Sequence, residues 1–381
     1  MEFIKTTLGE ISVGKGQYGI GASAVEYSKD LYAYLRITDI NDDGTLNMLD
    51  LKSVDDEKAA QYVMKPNDIV FARTGNSTGR NYFYDGSDGI FVYAGFLIKF
   101  SIDPSKVNPK YIKYYCLSDE YKNWVRGHST GSTRGNINAQ TYANMEITLP
   151  PRAQQDKLVS ILENLELKRK NNAEINRNLS EQAKILFKEK FLAIDCIPLN
   201  WKEMTLEDVS ILSAGGDKPK VVSEIRSEEC AVPIYSNGIS NEGIYGFTTD
   251  AKIINESVTV SARGTIGFVC LRQEPYVPIV RLISVVPKEN IMTAKYLYLW
   301  LESLHIMGTG TTQQQLTVPD FKKTRIIVPP IQKIREFTDL VNPIYDNILR
   351  NKKENEKLSE LRDNLLPKLM SGELDVSNLD I

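Results

Sequence analysis

The chain has 381 residues, of which 42% are hydrophobic and 25% are charged, so its composition excludes a disordered or fibrous protein. Lysine and arginine number 46 against 49 acidic residues, and the net charge of −3 lacks the basic excess typical of proteins that bind nucleic acid on their own. Only two histidines are present, which leaves little material for a histidine metal site or a catalytic triad. No apolar run approaches the ~20 residues of a membrane span, the start does not resemble a signal peptide, and the four cysteines are widely spaced. We therefore expect a multi-domain cytoplasmic protein with free thiols.

The sequence repeats itself, in the same order, along its two halves. The matching segments are 3–12 with 201–210, 40–44 with 239–243, 72–75 with 262–265, 110–115 with 295–300, 131–133 with 310–312 and 147–151 with 326–330. Chance matches would not stay in one order, so a single unit has been duplicated. A period of roughly 190 residues is far longer than that of a solenoid repeat and indicates two similar domains.

The first part of each copy, residues 1–149 and 194–328, predicts a globular α+β domain. Short β-branched and aromatic runs such as 68–71 lie between turns rich in glycine, asparagine and aspartate, a pattern that is typical of strands. An amphipathic helical stretch is predicted late in each copy, around 109–125 and 293–305.

The second part of each copy predicts a long helix, over residues 150–193 and then within 329–381. Each helix begins at a Pro-Pro pair, which suits a first helical turn, and almost no glycine follows. Apolar residues recur at heptad spacing: Leu158, Ile161, Leu165, Ile175, Leu179 and Leu186 in the first helix, and Phe337, Leu340, Ile344, Leu358, Leu361 and Leu365 in the second. Both apolar seams turn polar at the same repeat position, at Asn172 and Asn351.

The length and the pattern of these helices favour an antiparallel coiled coil within one chain. A helix of about 40 residues is about 60 Å long, too long for the surface of a small domain, so each apolar seam needs a partner. Because the second globular domain lies between the helices, one chain can fold them antiparallel and place the two domains at opposite ends. Dimerisation of each helix with a second molecule is the alternative.

Taken together and in this order, these features resemble the specificity subunits of Type I restriction–modification systems. The resemblance covers essentially the whole chain. Two variable domains alternate with two long helices, and each domain ends in a Gly-Ser/Thr-Thr loop followed by an Ile-x-x-Pro-Pro helix start. The helix ends at 186–191 and 365–374 are also similar to those of the family.

The resemblance implies a DNA-binding subunit that catalyses nothing and needs no cofactor. Each domain would be a target-recognition domain that binds one half of a bipartite double-stranded DNA target. The helices would set the spacing between the halves and dock the methyltransferase (modification) subunits, two in number. The assembly would also recruit restriction subunits, which are ATP-dependent nucleases, and no membrane is implied. Partners that share the phosphate contacts would account for the low positive charge of this chain.

Three segments have features of motifs from other protein classes. Residues 39–50 fit a calcium-loop template except that Asp50 replaces the final glutamate; however, a predicted strand precedes them, and Gly238 replaces Asp39 in the second copy. Residues 14–19 match G-x-G-x-x-G without a convincing βαβ unit around them. Neither Pro-Pro pair has the Asn/Asp-Pro-Pro-aromatic sequence of an adenine methyltransferase. A turn between strands is therefore favoured for 39–50, and no metal or nucleotide site is expected.

The candidate DNA contacts are polar side chains that can bind base edges or phosphates. They are Arg36, Arg73, Thr74, Arg80, Ser132, Thr133, Arg134 and Asn136 in the first domain, and Asn237, Arg263, Thr265, Thr311, Thr312, Gln313 and Gln314 in the second. Repeated positions such as Arg73 and Arg263 fit a fold-building role as well as a DNA contact. Positions that differ between the copies, such as Arg134 against Gln313, are better candidates for base reading because the two halves should read different sequences.

Two other functions stay open on the sequence alone. One is a specificity subunit of another, modification-only defence system built from the same modules, and a neighbouring restriction helicase–nuclease gene would favour Type I over it. The other is a non-catalytic coiled-coil scaffold that binds proteins only. Adenine methylation that depends on this gene would exclude the scaffold.

Overall fold

Two compact units make up the chain. The computed structural model describes residues 3–48, 50–129, 135–194, 196–307 and 315–374. Its units are Met1–Lys170 with Asn355–Ile381, and Asn171–Glu354. The first unit therefore draws on two distant parts of the chain, whereas the second is continuous.

The globular part of the first unit mixes short strands and helices. Its strands are β1 (Ile4–Thr7), β2 (Gln17–Tyr18), β3 (Ala24–Glu26), β4 (Tyr32–Leu35), β5 (Lys52–Val54), β6 (Asp68–Ala72), β7 (Asn81–Tyr84), β8 (Phe91–Tyr93), β9 (Leu97–Ser101) and β10 (Glu146–Leu149). Its helices are α1 (Pro109–Tyr115), α2 (Asp119–Ser129) and α3 (Ala139–Ala143), and the long helix α4 (Arg152–Phe187) follows. One sheet has the order β2-β9-β6-β7, a second has the order β3-β5-β4-β8, and β1 pairs with β10.

The second unit has its own set of short strands and helices. Its strands are β11 (Lys202–Thr205), β12 (Ser210–Ala214), β13 (Val232–Tyr235), β14 (Ile244–Thr248), β15 (Ser257–Val260), β16 (Val269–Arg272), β17 (Val277–Pro278), β18 (Ile283–Pro287) and β19 (Arg325–Val328). Its short helices are α5 (Leu206–Val209), α6 (Ala294–Ser303) and α7 (Val318–Phe321), and the long helix α8 (Ile331–Met370) follows. None of the helices in the described residues is both long enough and apolar enough to cross a membrane.

The sheet topology of the second unit repeats that of the first. The sheet β12-β18-β15-β16 corresponds to β2-β9-β6-β7, and the pair β11–β19 corresponds to β1–β10. The parallel pairing of β13 with β17 matches that of β4 with β8. The predicted duplication of an α+β domain is therefore confirmed.

The helical stretch predicted around 109–125 is divided into α1 and α2. The Ser118 hydroxyl donates to the Tyr115 carbonyl at 2.7 Å and accepts a hydrogen bond from the Tyr121 N–H at 3.3 Å. Ser118 thus ends one helix and caps the next, and N-terminal caps of this kind favour a new helix start. In the second unit the corresponding stretch is the single helix α6.

Helices α4 and α8 are antiparallel in both units. In the first unit, Leu162 shares a hydrophobic core with Leu366, and the Asn355 amide donates to the Arg169 carbonyl at 3.2 Å. In the second unit, the ring of Phe187 lies 5.8 Å from that of Phe337. Later residues of α4 meet earlier residues of α8, so the predicted antiparallel pairing within one chain is confirmed.

The buried face of these helices differs in part from the predicted heptad seam. Leu158 and Phe337 are buried as expected, but Ile175, Leu340 and Leu361 are 47%, 47% and 45% exposed. The side chains buried instead include Val159, Leu162, Ala183, Phe187, Val341, Tyr345 and Ile348. Each helix packs on its globular domain as well as on the other helix, so the apolar face is wider than a two-position coiled-coil seam. The heptad prediction was wrong at Ile175, Leu340 and Leu361.

A polar layer interrupts the apolar contacts of the second unit, as the two asparagines predicted. Asn172 is only 1% exposed, and its amide donates to a Glu354 carboxylate oxygen at 2.7 Å. The Asn351 amide donates to the side-chain oxygen of Asn176 at 2.8 Å. A buried amide that loses its partner costs about 1–3 kcal/mol, so this layer favours one register of the two helices.

The aromatic cluster around Phe187 gives a direct test of the packing at the end of α4. Its ring lies 5.3 Å from Tyr296 and 5.8 Å from Phe337, and the side chain is 2% exposed. We expect Phe187→Ala to lower the free energy of unfolding of the second unit by about 3–5 kcal/mol, because it leaves a cavity among these rings. Ile185→Ala, on the exposed side of the same helix, should change it by less than about 0.5 kcal/mol in the same denaturant titration. Equal effects of the two variants would contradict the described packing.

Candidate DNA interface

In the first domain, the end of the polar loop is fixed against the end of β6. The Ile137 N–H donates to the Arg73 carbonyl at 2.9 Å, and Thr74 forms a β-bridge with Asn136. The Thr78 hydroxyl donates to the Gly135 carbonyl at 3.1 Å. Three predicted residues, Arg73, Thr74 and Asn136, are thereby brought together. Ser132, Thr133 and Arg134 lie outside the described residues.

Arg73 has hydrogen-bonding capacity that the described part of its domain does not use. Its guanidinium carbon lies 5.1 Å from the ring centre of Tyr18, within the range of a cation–π contact. Its buried Nε atom has no hydrogen-bond partner among the described residues. An unsatisfied buried donor is costly, and such groups call for an acceptor supplied from elsewhere, such as a ligand, an ion or a water molecule.

Arg36 and Arg80 are committed to their own domain. The Nη2 atom of Arg36 lies 2.6 Å from Asp39 and also donates to the Asp50 carbonyl at 2.8 Å. The hydrogen bond to Asp39 raises the pKa of the Arg36 guanidinium above its ordinary value. Arg80 donates from Nε to Asp42 at 2.6 Å. Both arginines therefore hold the connection between β4 and β5.

That connection is the segment that matched the calcium-loop template. It joins two strands, as predicted, and its carboxylates have partners within the domain. Asp39 and Asp42 pair with arginines, and Asp43 accepts hydrogen bonds from the Thr45 hydroxyl at 2.6 Å and from the Thr45 N–H at 3.1 Å. Within the described residues, no group of three or more His, Cys, Asp or Glu side chains is arranged to hold a metal ion.

In the second domain, the end of the loop is fixed in the same manner. The Leu316 N–H donates to the Ala262 carbonyl at 3.0 Å. Arg263 and Thr265 are exposed, and Arg263 donates from Nε to the Gln315 side-chain oxygen at 3.0 Å. The residues Thr311, Thr312, Gln313 and Gln314 lie outside the described residues.

Asn237, which is half-buried, links two backbone segments. Its amide donates to the Val280 carbonyl at 2.6 Å, and its side-chain oxygen accepts from the Ala262 N–H at 2.7 Å. Both polar atoms are used, so this side chain has a fold-building role.

The hydrogen bonds shift the expected correspondence of Arg73 with Arg263 by one residue. In the first domain the carbonyl that accepts from the loop belongs to Arg73, and in the second it belongs to Ala262. The preceding residues Ala72 and Ser261 are equivalent as well. The carbonyl of each accepts from the N–H of a glycine, and the N–H of each donates to the carbonyl of the residue after that glycine. The sequence match aligned two Ala-Arg pairs, whereas the backbone places Arg263 one step further into its turn.

A cleft of about 440 Å³ lies beside Arg263 and includes residues that the sequence analysis missed. Its lining residues are Gly215, Gly216, Asp217, Lys218, Tyr245, Arg263, Ile279, Val280 and Arg281. Three of these side chains are basic, and Gly215 is a local sequence signal of the close backbone approach here, since a Cβ atom on it would lie 2.7 Å from the Ile279 nitrogen. Such a surface can bind the phosphates or the base edges of a nucleic acid.

Ion pairs attach each globular domain to a long helix of the same unit. In the first unit Lys110 pairs with Glu163, and Lys113 pairs with Glu166 at 2.6 Å. In the second, Lys353 of α8 pairs with Glu274 at 2.7 Å. These contacts join the domain that carries the candidate residues to the helix that would set its position.

The fold and the site define a protein with two recognition domains mounted on paired helices. A family model described as the Type I restriction modification DNA specificity domain matches residues 6–181 and again 198–360. These two matches cover most of the chain, which therefore belongs to that family. The identification of a Type I specificity subunit from the sequence is confirmed.

Individual relatives agree with this assignment. The Type I restriction enzyme HindI specificity subunit of Haemophilus influenzae is 22% identical over 458 residues, covering 94% of this chain and 99% of that protein. A protein of Mycoplasma pneumoniae named as a type I specificity subunit is 32% identical over 252 residues, covering 63% of this chain and 74% of its own length. The crystal structure of the Type I S subunit of M. genitalium has a TM-score of 0.57 at 18% identity, with 97% and 96% of the two chains covered, and it shares the fold.

A stability measurement can show whether Arg36 holds its own domain together or contacts DNA. We expect Arg36→Ala to lower the free energy of unfolding by about 2 kcal/mol, because Asp39 is 5% exposed and would lose its charged partner. Arg263→Ala, at an exposed site, should change it by less than about 0.5 kcal/mol in the same denaturant titration. An Arg36→Ala protein with unchanged stability and weakened DNA binding would make Arg36 a DNA contact instead.

Proposed function

We propose that this chain reads a bipartite DNA target, each domain binding one half-site and the paired helices setting the distance between them. The recognition domains are residues 1–149 and 194–328, and the spacer segments are 150–193 and 329–381. The observation that carries the proposal is the repetition of one site architecture. In both domains a polar loop ends on the carbonyl at the end of a buried central strand.

The proposed readers are the polar loops and the side chains beside them. Residues 132–136 and 311–314 differ between the domains, as two readers of different half-sites require. Arg73, Thr74, Arg263 and Thr265 would complete the contacts to bases or phosphates. Arg36, Arg80 and Asn237, whose polar atoms bind within their own domains, would support the surface from behind.

The chemistry would come from partner subunits. We propose two methyltransferase subunits, because the duplicated units offer two equivalent docking surfaces, and ATP-dependent restriction subunits that join the same assembly. Two of the buried thiols are poor nucleophiles, because burial raises the pKa of Cys270 to about 11 and raises that of Cys116 as well. This supports a non-catalytic subunit. The DNA substrate supports a cytoplasmic location.

The net charge of −3 fits a shared interface better than a solitary one. Non-specific affinity for DNA comes from basic groups that release counterions from the phosphates. A chain with more acidic than basic residues would depend on its methyltransferase partners for much of this non-specific affinity. Its own contribution would be the choice of sequence.

Methylation mapping tests the function in cells. We expect deletion of the gene to abolish adenine methylation at one motif made of two short half-sites separated by a fixed gap, and complementation to restore it. Deletion of the neighbouring methyltransferase gene should give the same loss and serves as the positive control. An unchanged methylation pattern would contradict the proposal and would favour the protein-binding scaffold.

The two loops should act on different half-sites. Arg134→Ala should relax base preference in one half of the motif and Gln313→Ala in the other, because a lost bidentate base contact costs about 1–3 kcal/mol of discrimination. In the double variant the two effects should add, since the changes lie in separate domains. The measurement is binding of the complex with its methyltransferase to duplexes altered in one half-site or the other. Equal weakening on every duplex would reduce both residues to backbone contacts.

A further inference from the structure

A four-residue turn occupies the same place in both domains. Residues 94–97 lead from β8 into the first residue of β9, and residues 279–282 connect β17 to β18. The Leu97 N–H donates to the Ala94 carbonyl at 2.8 Å, and the Leu282 N–H donates to the Ile279 carbonyl at 3.0 Å. The two turns are therefore equivalent in position and in the bond that closes them.

The segment that follows β2 in the first domain, and the equivalent segment after β12 in the second, fixes each turn from one side. The Gly19 N–H donates to the Leu97 carbonyl at 3.1 Å, and the Gly215 N–H donates to the Leu282 carbonyl at 2.8 Å. Parallel β-bridges join Ile20 to Ala94 and Gly216 to Ile279. These contacts make Phe96 equivalent to Arg281, although the sequence repeat gave no match there.

Each turn lies next to the strand end that receives the polar loop. In the first domain the Arg73 N–H donates to the Phe96 carbonyl at 3.1 Å. In the second, Asn237 bridges the Ala262 N–H and the carbonyl of Val280, which is one residue before Arg281 in the turn. The central residues of the turns are thus held at the edge of the proposed reading surface, and Arg281 lines the same cleft as Arg263.

The turn of the second domain is strained and rigidly supported. Val280 and Arg281 have φ values of 51° and 62°, a left-handed conformation that a β-branched residue rarely adopts. Hydrogen bonds from the Val280 N–H to Gly216 at 2.9 Å and from the Arg281 N–H to Gly215 at 2.8 Å hold it in place. A Cβ atom on Gly215 would lie 2.7 Å from the Ile279 nitrogen, so the support requires glycine there. Strain of this kind persists where the surroundings impose it and is concentrated at functional sites.

The side chains at the equivalent positions are exposed and chemically different. Phe96 is 55% exposed, and Arg281 is also exposed. The bonds described above that fix the two turns use backbone atoms and the Asn237 side chain, so the side chains of Phe96 and Arg281 can differ while the fold stays the same. Two domains that read different half-sites need such a position.

From this geometry, and resting on the proposed function, we infer that Arg281 and Phe96 determine the specificity of the second and first domain respectively. Arg281 donates two hydrogen bonds to the O6 and N7 atoms of a guanine in the half-site read by the second domain. Phe96 makes an apolar contact with a thymine methyl group in the other half-site. These are the base-edge contacts that each side chain makes best in the major groove.

The test uses the complex of the full chain with its methyltransferase and a panel of duplexes, each carrying one base-pair change in the motif found by methylation mapping. Arg281→Ala should abolish a preference of about 5- to 150-fold for one G·C pair and leave the other half-site unaffected. Arg281→Gly should have the same effect with undiminished thermal stability, because glycine adopts the left-handed conformation without strain. Phe96→Ala should relax the preference for one T·A pair in the opposite half-site.

Arg325→Ala is the matched control, since Arg325 is an arginine with a 77% exposed side chain on β19 of the same domain. It should leave every base preference unchanged. Unchanged discrimination in both Arg281 variants would overturn the inference, as would uniform weakening on every duplex, which would make Arg281 a phosphate contact. If the wild-type complex bound all duplexes equally, the proposed function itself would be wrong, and this inference would be wrong with it.

Discussion

The antiparallel pairing of α4 with α8 is the interaction on which both units depend. In the first unit Leu158 and Leu162 of α4 share a core with Leu366 and Leu369 of α8. In the second, Phe187 packs against α8 through aromatic contacts, and the globular domain packs on the same helices. An amphipathic helix gains most of its stability from packing, so neither long helix would be stable without this burial. Each globular domain therefore shares its core with the helix segments of its own unit and is not an independent module.

Within each domain, one set of atoms fixes the surface and a different set can recognise a ligand. Main-chain bonds secure the loop end, the strand end and the four-residue turn in both copies. Partly buried polar side chains such as Asn237 bind main-chain groups that no other main-chain group of the described residues pairs with. One fold can therefore carry different side chains at its tips, and duplication yields a protein with two selectivities on a single architecture.

The sequence was most informative where a physical signal is local. The Pro-Pro pairs located the starts of both long helices, because proline is tolerated in a first helical turn, and α4 and α8 begin at Arg152 and Ile331. Asn172 and Asn351 marked the polar layer correctly, since a polar residue in an apolar seam needs a partner. The exposed Leu340 and Leu361 were predicted to lie in the seam, because heptad spacing alone does not show which side of a helix its globular domain covers.

The candidate site was less predictable, because pairing in space decides which polar side chains are free. The ion pair of Arg36 with Asp39 depends on a turn whose geometry the sequence does not state. Arg281 was missed because left-handed turns are recognised by Asn-Gly sequences, and here valine and arginine occupy those positions. The equivalence of Phe96 with Arg281 leaves no trace in the sequence repeat, since only main-chain atoms are shared.

The division of the first unit between two distant parts of the chain has a consequence for biosynthesis. Leu158 leaves the ribosome about 200 residues before Leu366, an interval of about 10–40 s at translation rates of 5–20 residues per second. Throughout that time the first recognition domain lacks the leucines of α8 that complete its core. Nascent chains at this stage expose an apolar stripe on α4, and chains that terminate within the second domain would retain it permanently. Completion of the first domain's core thus depends on a helix that is synthesised only after the whole second domain.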